Sequence, residues 1–324
     1  MQNKQETFLT IIIPTHNRAD IIDANLNNLS KLYGKYKLKL IVCDNASTDN
    51  TSSVLNYWKE RIHSMQIISH DKNVLFDRNV TSGYLKVDTP YCWVLGDANT
   101  VDVNNFEKIV KALRKSPQAV IINDPKKSVM IEDTIFTNPK TLFRELGWYT
   151  TLLCSCIINK DFITEDRCAR YFDTGFVHMG VFYDYLANFE EINVHLLSSI
   201  TVTSIQLGDK SSNSWKRIPF EVFGKRWFSF VMSLPYSYGI DDKFYCIRQH
   251  DKNQHVFAPW SLLVYKITGY CSFEDYHDAR HILRFIYRYP LIITDIISIL
   301  PSFPFLTPFL KGIKHIICDE KQNN

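Results

Sequence analysis

The strongest constraint on this chain is an alternation. Between Phe8 and Asn123, short apolar runs take turns with segments whose apolar residues fall at helical spacing, and a polar loop follows each run. Phe8–Ile13 reads as a β-branched strand ending at Pro14, and Ile21, Ile22, Leu26, Leu29 and Leu32 mark the helix after it. Lys37–Cys43 is the second strand, with Val54, Leu55, Trp58 and Ile62 on the following helix. Met65–Ser69 is the third, followed by a short helix near Arg78–Leu85. Tyr91–Leu95 is the fourth, followed by a helix carrying Phe106, Ile109, Val110 and Leu113. Val120–Asn123 is the fifth. Strands alternating with helices predict an α/β fold with a mostly parallel sheet and right-handed crossovers. In such sheets ligands bind beyond the carboxyl ends of the strands. The polar loops Thr15–Arg18, Asp44–Asp49, Asn73–Arg78 and Asp97–Asn99 all belong to that edge.

Tyr91-Cys-Trp-Val-Leu-Gly-Asp-Ala-Asn99 is the centre of this pattern. A buried strand runs to Leu95, Gly96 lets the backbone turn, and Asp97 and Asn99 follow. In an extended segment, side chains two apart share a face. Two oxygen ligands at the end of a parallel strand suit a hard cation holding a diphosphate. The plainer reading is a strand-to-helix turn in which Asp or Asn caps the next helix.

Composition removes other classes. With 45% hydrophobic and 22% charged residues over 324 positions, the chain packs a sizeable core. A formal charge of +3 without basic runs argues against nucleic acid. Eight scattered cysteines, with Cys154-Ser-Cys156 the only close pair, complete no zinc site and fit a reduced, cytoplasmic chain. The first residues lack a signal-peptide pattern. There is no Gly-x-Gly-x-x-Gly and no Walker motif, which disfavours a dinucleotide fold or a P-loop NTPase.

Ile-Ile-Ile-Pro-Thr-His-Asn-Arg18, Cys43-Asp-Asn-Ala-Ser-Thr-Asp-Asn-Thr51, Asn73, Asp77-Arg-Asn79 and Trp93-Val-Leu-Gly-Asp-Ala-Asn99 together resemble a family 2 glycosyltransferase with the GT-A fold. Asp77-Arg-Asn79 and Tyr91-Cys-Trp-Val-Leu-Gly96 most resemble abequosyltransferase-like enzymes of bacterial O-antigen synthesis. The match covers Phe8 to about Asp102, with weaker echoes to about Trp215. The resemblance implies that Pro14, Thr15, Asn17 and Arg18 line a nucleotide pocket. It implies that Asp44 contacts the base with Asn45 and Ser47 beside it, and that Asn73 and Arg78 flank the sugar or diphosphate. Asp97 and Asn99 would fill the metal motif and hold Mg or Mn. Ser47 and Asp49 as helix caps, and Arg78 as a surface cation, remain the plain alternatives. The usual motif ends in Asp, whereas this chain has Asn99, an oxygen without charge. Cation affinity should fall, binding should occur mainly together with the donor, and metal independence stays open. Asp102 could substitute or could cap the next helix.

Beyond Asn123 the chain reads as a loop-rich connection with a helical piece near Leu142–Leu146, then a strand over Thr151–Asn159. Tyr171–His178 leads into a helix carrying Val181, Phe182, Tyr185, Leu186 and Phe189. In the resembling enzymes this region faces the acceptor, and an acid or His there is the base. His178, at a helix start, would be held neutral and able to accept a proton; a packed, non-catalytic His is the alternative. Asp173 is the second candidate, and Asp184 reads as structural. Val194–Gln206 reads as another strand. Gly208–Trp215 is a polar loop that either closes over the donor or merely connects.

From Phe220 the pattern is helical. The tail, His281–Ile317, mixes Leu291–Leu300 with prolines and with Arg280, Arg284, Arg288, Lys311 and Lys314. It suits either a helix lying on an anionic membrane or a small packed helical domain.

The resulting expectation is a GT-A domain over 1–218, with a nucleotide-sugar half over about 8–123 and an acceptor half over about 124–218. A helical region over 219–324 follows. The expected function is transfer of a sugar from a nucleotide diphosphate sugar to a hydroxyl of a lipid-linked or oligosaccharide acceptor in O-antigen or capsule synthesis. Inversion is implied by the resemblance. The expected place is the cytoplasm or the inner face of the cytoplasmic membrane. The rivals are a nucleotidyltransferase, which would want a Gly-rich phosphate loop where Pro14–Arg18 has none, and a non-catalytic scaffold, for which Asn99 speaks.

Overall fold

The computed structural model describes residues 7–122, 132–200, 202–205, 207, 217–287, 289–300 and 302. Asn123, the loop Gly208–Trp215 and the basic residues Arg288, Lys311 and Lys314 lie outside the described residues. The chain divides into two compact units, Met1–Ser211 with Leu234–Gly239, and Ser212–Ser233 with Ile240–Asn324.

The first unit begins with the expected alternation. In chain order come β1 (Leu9–Thr15), α1 (Ala19–Tyr33), β2 (Leu38–Asp44), α2 (Thr51–Lys59), β3 (Met65–Ser69), α3 (Leu75–Tyr84) and β4 (Tyr91–Val94). Next are β5 (Asn99–Val101), α4 (Val103–Leu113), β6 (Ala119–Ile122), β7 (Thr134–Phe136) and α5 (Pro139–Leu146). The unit continues with β8 (Cys156–Asn159), α6 (Glu165–Ala169), α7 (Val177–Leu186), β9 (Val194–Leu197) and β10 (Val202–Ser204). Eight strands form one sheet in the order β3-β2-β1-β4-β8-β6-β9-β7, and β10 pairs with β5 separately. β1 lies parallel between β2 and β4, so Thr15 and Asp44 are register neighbours at the carboxyl edge. The chain steps outward from β1 to β2 and β3, then returns to place β4 on the other side. That reversal makes a crevice at the carboxyl edge.

The core follows from the pattern. Ile22, Leu26 and Leu29 of α1 are fully buried against Leu9, Ile11 and Ile13 of β1 and Leu40 and Val42 of β2. Each contributes about 1.5–3 kcal/mol by leaving water. Trp93, also buried, donates its indole N–H to the Cys154 carbonyl at 2.9 Å, tying β4 to the segment before β8.

Three expectations are corrected. Thr151–Asn159 is strand only from Cys156, because the Thr150 and Thr151 hydroxyls donate back to the Gly147 and Trp148 carbonyls and hold a 3-10 turn over Tyr149–Thr151. Val194–Gln206 is two strands in different sheets. Asp133 accepts both the Ser198 N–H (2.7 Å) and its hydroxyl (2.8 Å), drawing the chain out of the ladder after Leu197. Asp97 and Asn99 do not share a face of an extended segment. The Asn99 N–H donates to the Gly96 carbonyl at 2.8 Å and closes a turn with Asp97 inside it. Gly96 is needed there for close approach, since a Cβ on it would lie 2.5 Å from Asn99 Oδ1.

The second unit is helical. A π-helix over Phe220–Arg226 runs into α8 (Trp227–Ser233), followed by α9 (Ile240–Gln254), α10 (Pro259–Ile267), α11 (Phe273–Ile286) and α12 (Leu291–Ile299). Phe220 stacks on Phe257 and Phe223 on His250. α12 is turned opposite to an ordinary amphipathic helix. Thr294 and Ser298 are buried, with Thr294 bonded to the Tyr276 hydroxyl at 3.1 Å, while Ile292 (64%), Ile296 (55%) and Ile299 (71%) are exposed. Asp295 is held by Tyr276 and by Nε and Nη2 of Arg280, at 2.8 and 3.0 Å.

Candidate active site

The site residues come from the carboxyl edge of β1, β2 and β4. Pro14 and Thr15 end β1, and Asp44 ends β2. Asn17 and Ala46 take left-handed backbone (φ 52° and 59°), which folds the two loops toward each other. The loops are then laced. The Asn17 N–H donates to Ser47 Oγ at 2.8 Å, and Asn17 Oδ1 accepts the Thr48 N–H at 2.7 Å. Asp49 accepts the Ala19 N–H (3.1 Å) and the Thr51 N–H (3.0 Å), so one carboxylate serves the first turns of both α1 and α2. Burial would raise its pKa, but the bonds from Thr51 and Ala19 bring it below the usual value.

Asp44 is buried. Its Oδ1 accepts the Ser47 N–H (3.1 Å) and hydroxyl (2.5 Å), while Oδ2 has no hydrogen-bond partner among the described residues. Asn45 donates to Asn73 Oδ1 at 3.0 Å and accepts the Val74 N–H at 2.8 Å, so these two amides build the wall between β2 and α3.

Asp97 has both carboxylate oxygens engaged. Arg18 Nη1 donates to its Oδ1 at 2.6 Å, and the Thr15 hydroxyl donates to Oδ2 at 3.1 Å. Burial raises its pKa, with Arg18 and then Thr15 pulling the other way. Asn25, buried on α1, donates from its amide to the carbonyls of Gly96 (3.3 Å), Asp97 (2.5 Å) and Asn99 (3.0 Å). Asn25 was not expected. The signal was a polar residue one turn after Ile21 on an otherwise apolar helix face. Asp102 caps α4, accepting the Asn105 N–H at 2.9 Å, and plays no part in this turn.

Arg78 does not point free toward a phosphate. It forms a two-pronged bond with Asp173 (2.5 and 3.1 Å) and lies over the Phe172 ring. Asp77 beside it, also not expected, is buried and accepts the N–H groups of Gly175 (2.7 Å) and Val177 (3.1 Å). It thus caps α7 from a helix about a hundred residues earlier, where Phe176 offers no side-chain cap. Burial pushes the Asp77 pKa up, and those N–H groups oppose the shift. Asp173 sits at φ 66° and Gly175 at 81°, the bend that turns the chain into α7.

His178 is in the first turn of α7, buried, with Phe76 edge-on and Phe176 beside it. The backbone of Thr150 and Thr151 lies nearby. Neither ring nitrogen has a hydrogen bond of proper geometry among the described residues. Burial lowers its pKa to about 4, so the ring is neutral at pH 7. Asp184 is held by Arg167 and Arg170, each at 2.8 Å.

Residues 10–169 match the family model for glycosyl transferase family 2. That stretch, just under half of the chain, is similar to the family 2 glycosyltransferases. The chain is 25% identical over 198 residues to abequosyltransferase RfbV of Salmonella typhimurium, across 53% of this chain and 59% of that protein. It therefore spans less than two thirds of the relative's length. Among solved structures, S. aureus TarS 1-349 in complex with UDP-GlcNAc superposes with a TM-score of 0.60 at 11% identity, covering 90% of this chain and 84% of that one. The mannosyltransferase PcManGT from Pyrobaculum calidifontis, in complex with GDP-Man and Mn2+, superposes with a TM-score of 0.52 at 14% identity, covering 91% and 79%. These likenesses give the GT-A fold.

A divalent ion accompanies the donor in the Pyrobaculum complex. In this chain, both Asp97 oxygens already accept hydrogen bonds, and Asn99 brings no charge. Among the described residues, no group of three or more His, Cys, Asp or Glu could hold an ion. The residues present do not fit a resident metal.

Proposed function

We propose that this glycosyltransferase moves a sugar from a nucleotide diphosphate sugar to a hydroxyl of a lipid-linked or oligosaccharide acceptor of a bacterial surface polysaccharide, O-antigen or capsule, with inversion. The observation that carries the reading is the convergence of Thr15, Arg18, Asp44 and Asp97 on the crevice edge of β1, β2 and β4. The donor half is residues 8–123 and the acceptor half 124–218, with the helical region 219–324 following. Asp44 Oδ2 meets the base edge, within a pocket whose walls are Pro14, Asn17, Asn45, Ser47 and Asn73. Arg18 faces the diphosphate. His178, neutral, takes the proton of the acceptor hydroxyl. The new bond joins the acceptor oxygen to the anomeric carbon, the bond from that carbon to the diphosphate oxygen breaks, and the nucleoside diphosphate departs. Asp173, fixed by Arg78, shapes the acceptor side.

Thermal melting with CDP-, GDP-, UDP- and dTDP-sugars tests the donor, because a ligand bound only by the native state raises the melting point. One base should stand out, and Asp44→Ala should remove its shift while the protein stays folded. Shifts from none of the four donors would sink the reading.

The second unit supports a membrane contact for delivery of a lipid-linked acceptor. No helix of the described residues is long and apolar enough to cross a bilayer. The outward face of Ile292, Ile296 and Ile299, with Arg284 exposed on α11, suits an anionic lipid surface. Pelleting with phosphatidylglycerol vesicles should fall when the three isoleucines become glutamine. Unchanged pelleting would remove α12 from the contact.

A further inference from the structure

We infer that Arg18 is the built-in counter-ion of Asp97, and that its guanidinium keeps a divalent cation out of the free protein. The inference deepens the transferase reading, on which it rests, by naming the positive group that meets the leaving diphosphate.

Four observations carry it. The Asp97 side chain is 9% exposed and its Arg18 partner 26%, so the pair is shielded from water at the carboxylate end and open at the guanidinium end. Both Asp97 oxygens are engaged, one by Arg18 and one by Thr15. The other oxygens that a hard ion would recruit from this turn, the carbonyls of Gly96, Asp97 and Asn99, all accept from the single Asn25 amide. Arg78, the other arginine expected on this edge, is committed to Asp173. A guanidinium has five N–H donors in a planar fork, so one prong can hold a carboxylate while others face phosphate oxygens.

Mn2+ binding to the protein alone, read from the electron paramagnetic resonance of free Mn2+, tests this without any donor. Wild type should show no saturable site below about 1 mM, the weak end of carboxylate sites. Arg18→Gln leaves the Asp97 charge without its partner and should bind Mn2+ at least about tenfold more tightly. Asp97→Asn in that background should abolish the gain. Mn2+ should also raise the melting temperature of Arg18→Gln and not of wild type. Should Arg18→Gln fail to fold, Arg18→Lys, which keeps the charge but not the fork, should show a smaller gain in the same direction. A micromolar Mn2+ site in wild type, or a folded arginine variant with wild-type Mn2+ affinity, would overturn the inference. The outcome is independent of the donor screen, so failure of the transferase reading and failure of this inference give different results.

Discussion

At the residue scale, Leu75 is out of place. It begins α3 at φ 67° with its side chain 57% exposed, held by its N–H on Asn73 Oδ1. A left-handed leucine costs about 1–2 kcal/mol relative to its ordinary conformations, and exposure gives nothing back. Asn accepts that region readily, so Leu75→Asn should raise the urea midpoint by the equivalent of up to about 1 kcal/mol. An unchanged or lower midpoint would mean that the side chain has packing or a role not visible in its exposure. His178 asks for a different measurement. If it is the base, His178→Asn should lower kcat by about a hundredfold or more while the donor's thermal shift survives; Asp173→Asn should act chiefly on acceptor KM. Equal loss of donor binding in both would point to a structural role.

At the scale of elements, α7 depends on residues far from it. Gly180 lies under the Tyr171 ring, and a Cβ there would come within 2.2 Å of it. Gly180→Ala must therefore push the ring off α7 and should destabilise by about 1–3 kcal/mol. Asp77→Ala uncovers two buried N–H groups and should cost about 1–3 kcal/mol, with Asp77→Asn recovering part; both are read by chemical denaturation. The elements up to Ile122 were legible because β1 to β4 are short, mostly apolar runs alternating with helical segments. After Ile122 the reading was partial: α5, α7 and the strands at Cys156 and Val194 showed, but not their bounds or the remaining elements. Thr134–Phe136 is too short to stand out, and α9 mixes too many polar residues to show a stripe. Val194–Ser204 hides its break in two serines that only Asp133 explains. The loops of the site were readable as motifs. The bonds Asn25 and Asp77 make were not, because each partner lies about seventy to a hundred residues away and a single sequence carries no pairing information.

At the scale of the whole molecule, acid should be the weak side. Burial lowers the His178 pKa to about 4 and the His250 pKa to about 3, one in each unit. An unfolded histidine takes up its proton near pH 6.5, while these stay neutral in the folded chain. Between those values the unfolded chain holds more protons, so stability falls as pH falls. Each group accounts for a loss on the order of 3 kcal/mol by pH 4. Asp77 and Asp97, both raised, act in the opposite sense and take up protons first in the folded state. Urea midpoints should drop steadily from pH 7 to pH 4.5, and His250→Gln should flatten the curve. A midpoint that holds constant over that range would contradict the buried neutral histidines.

The strand order sets a schedule for synthesis. β1, β2 and β3 find all their sheet partners among β1 to β4, and those four strands are complete at Val94; β4 alone keeps an edge for a later strand. β6 is different: its neighbours are β8 on one side and β9 on the other, both made later. A nascent chain therefore carries a nearly finished four-stranded half with one open edge at β4, and a bare apolar strand at Ala119–Ile122. Neither is covered until the Cys156–Asn159 strand inserts antiparallel between them. That waiting interval, about sixty residues of translation for β4 and about thirty-five for β6 by the spacing of these strands, is when this protein is most exposed to aggregation through an unpaired edge.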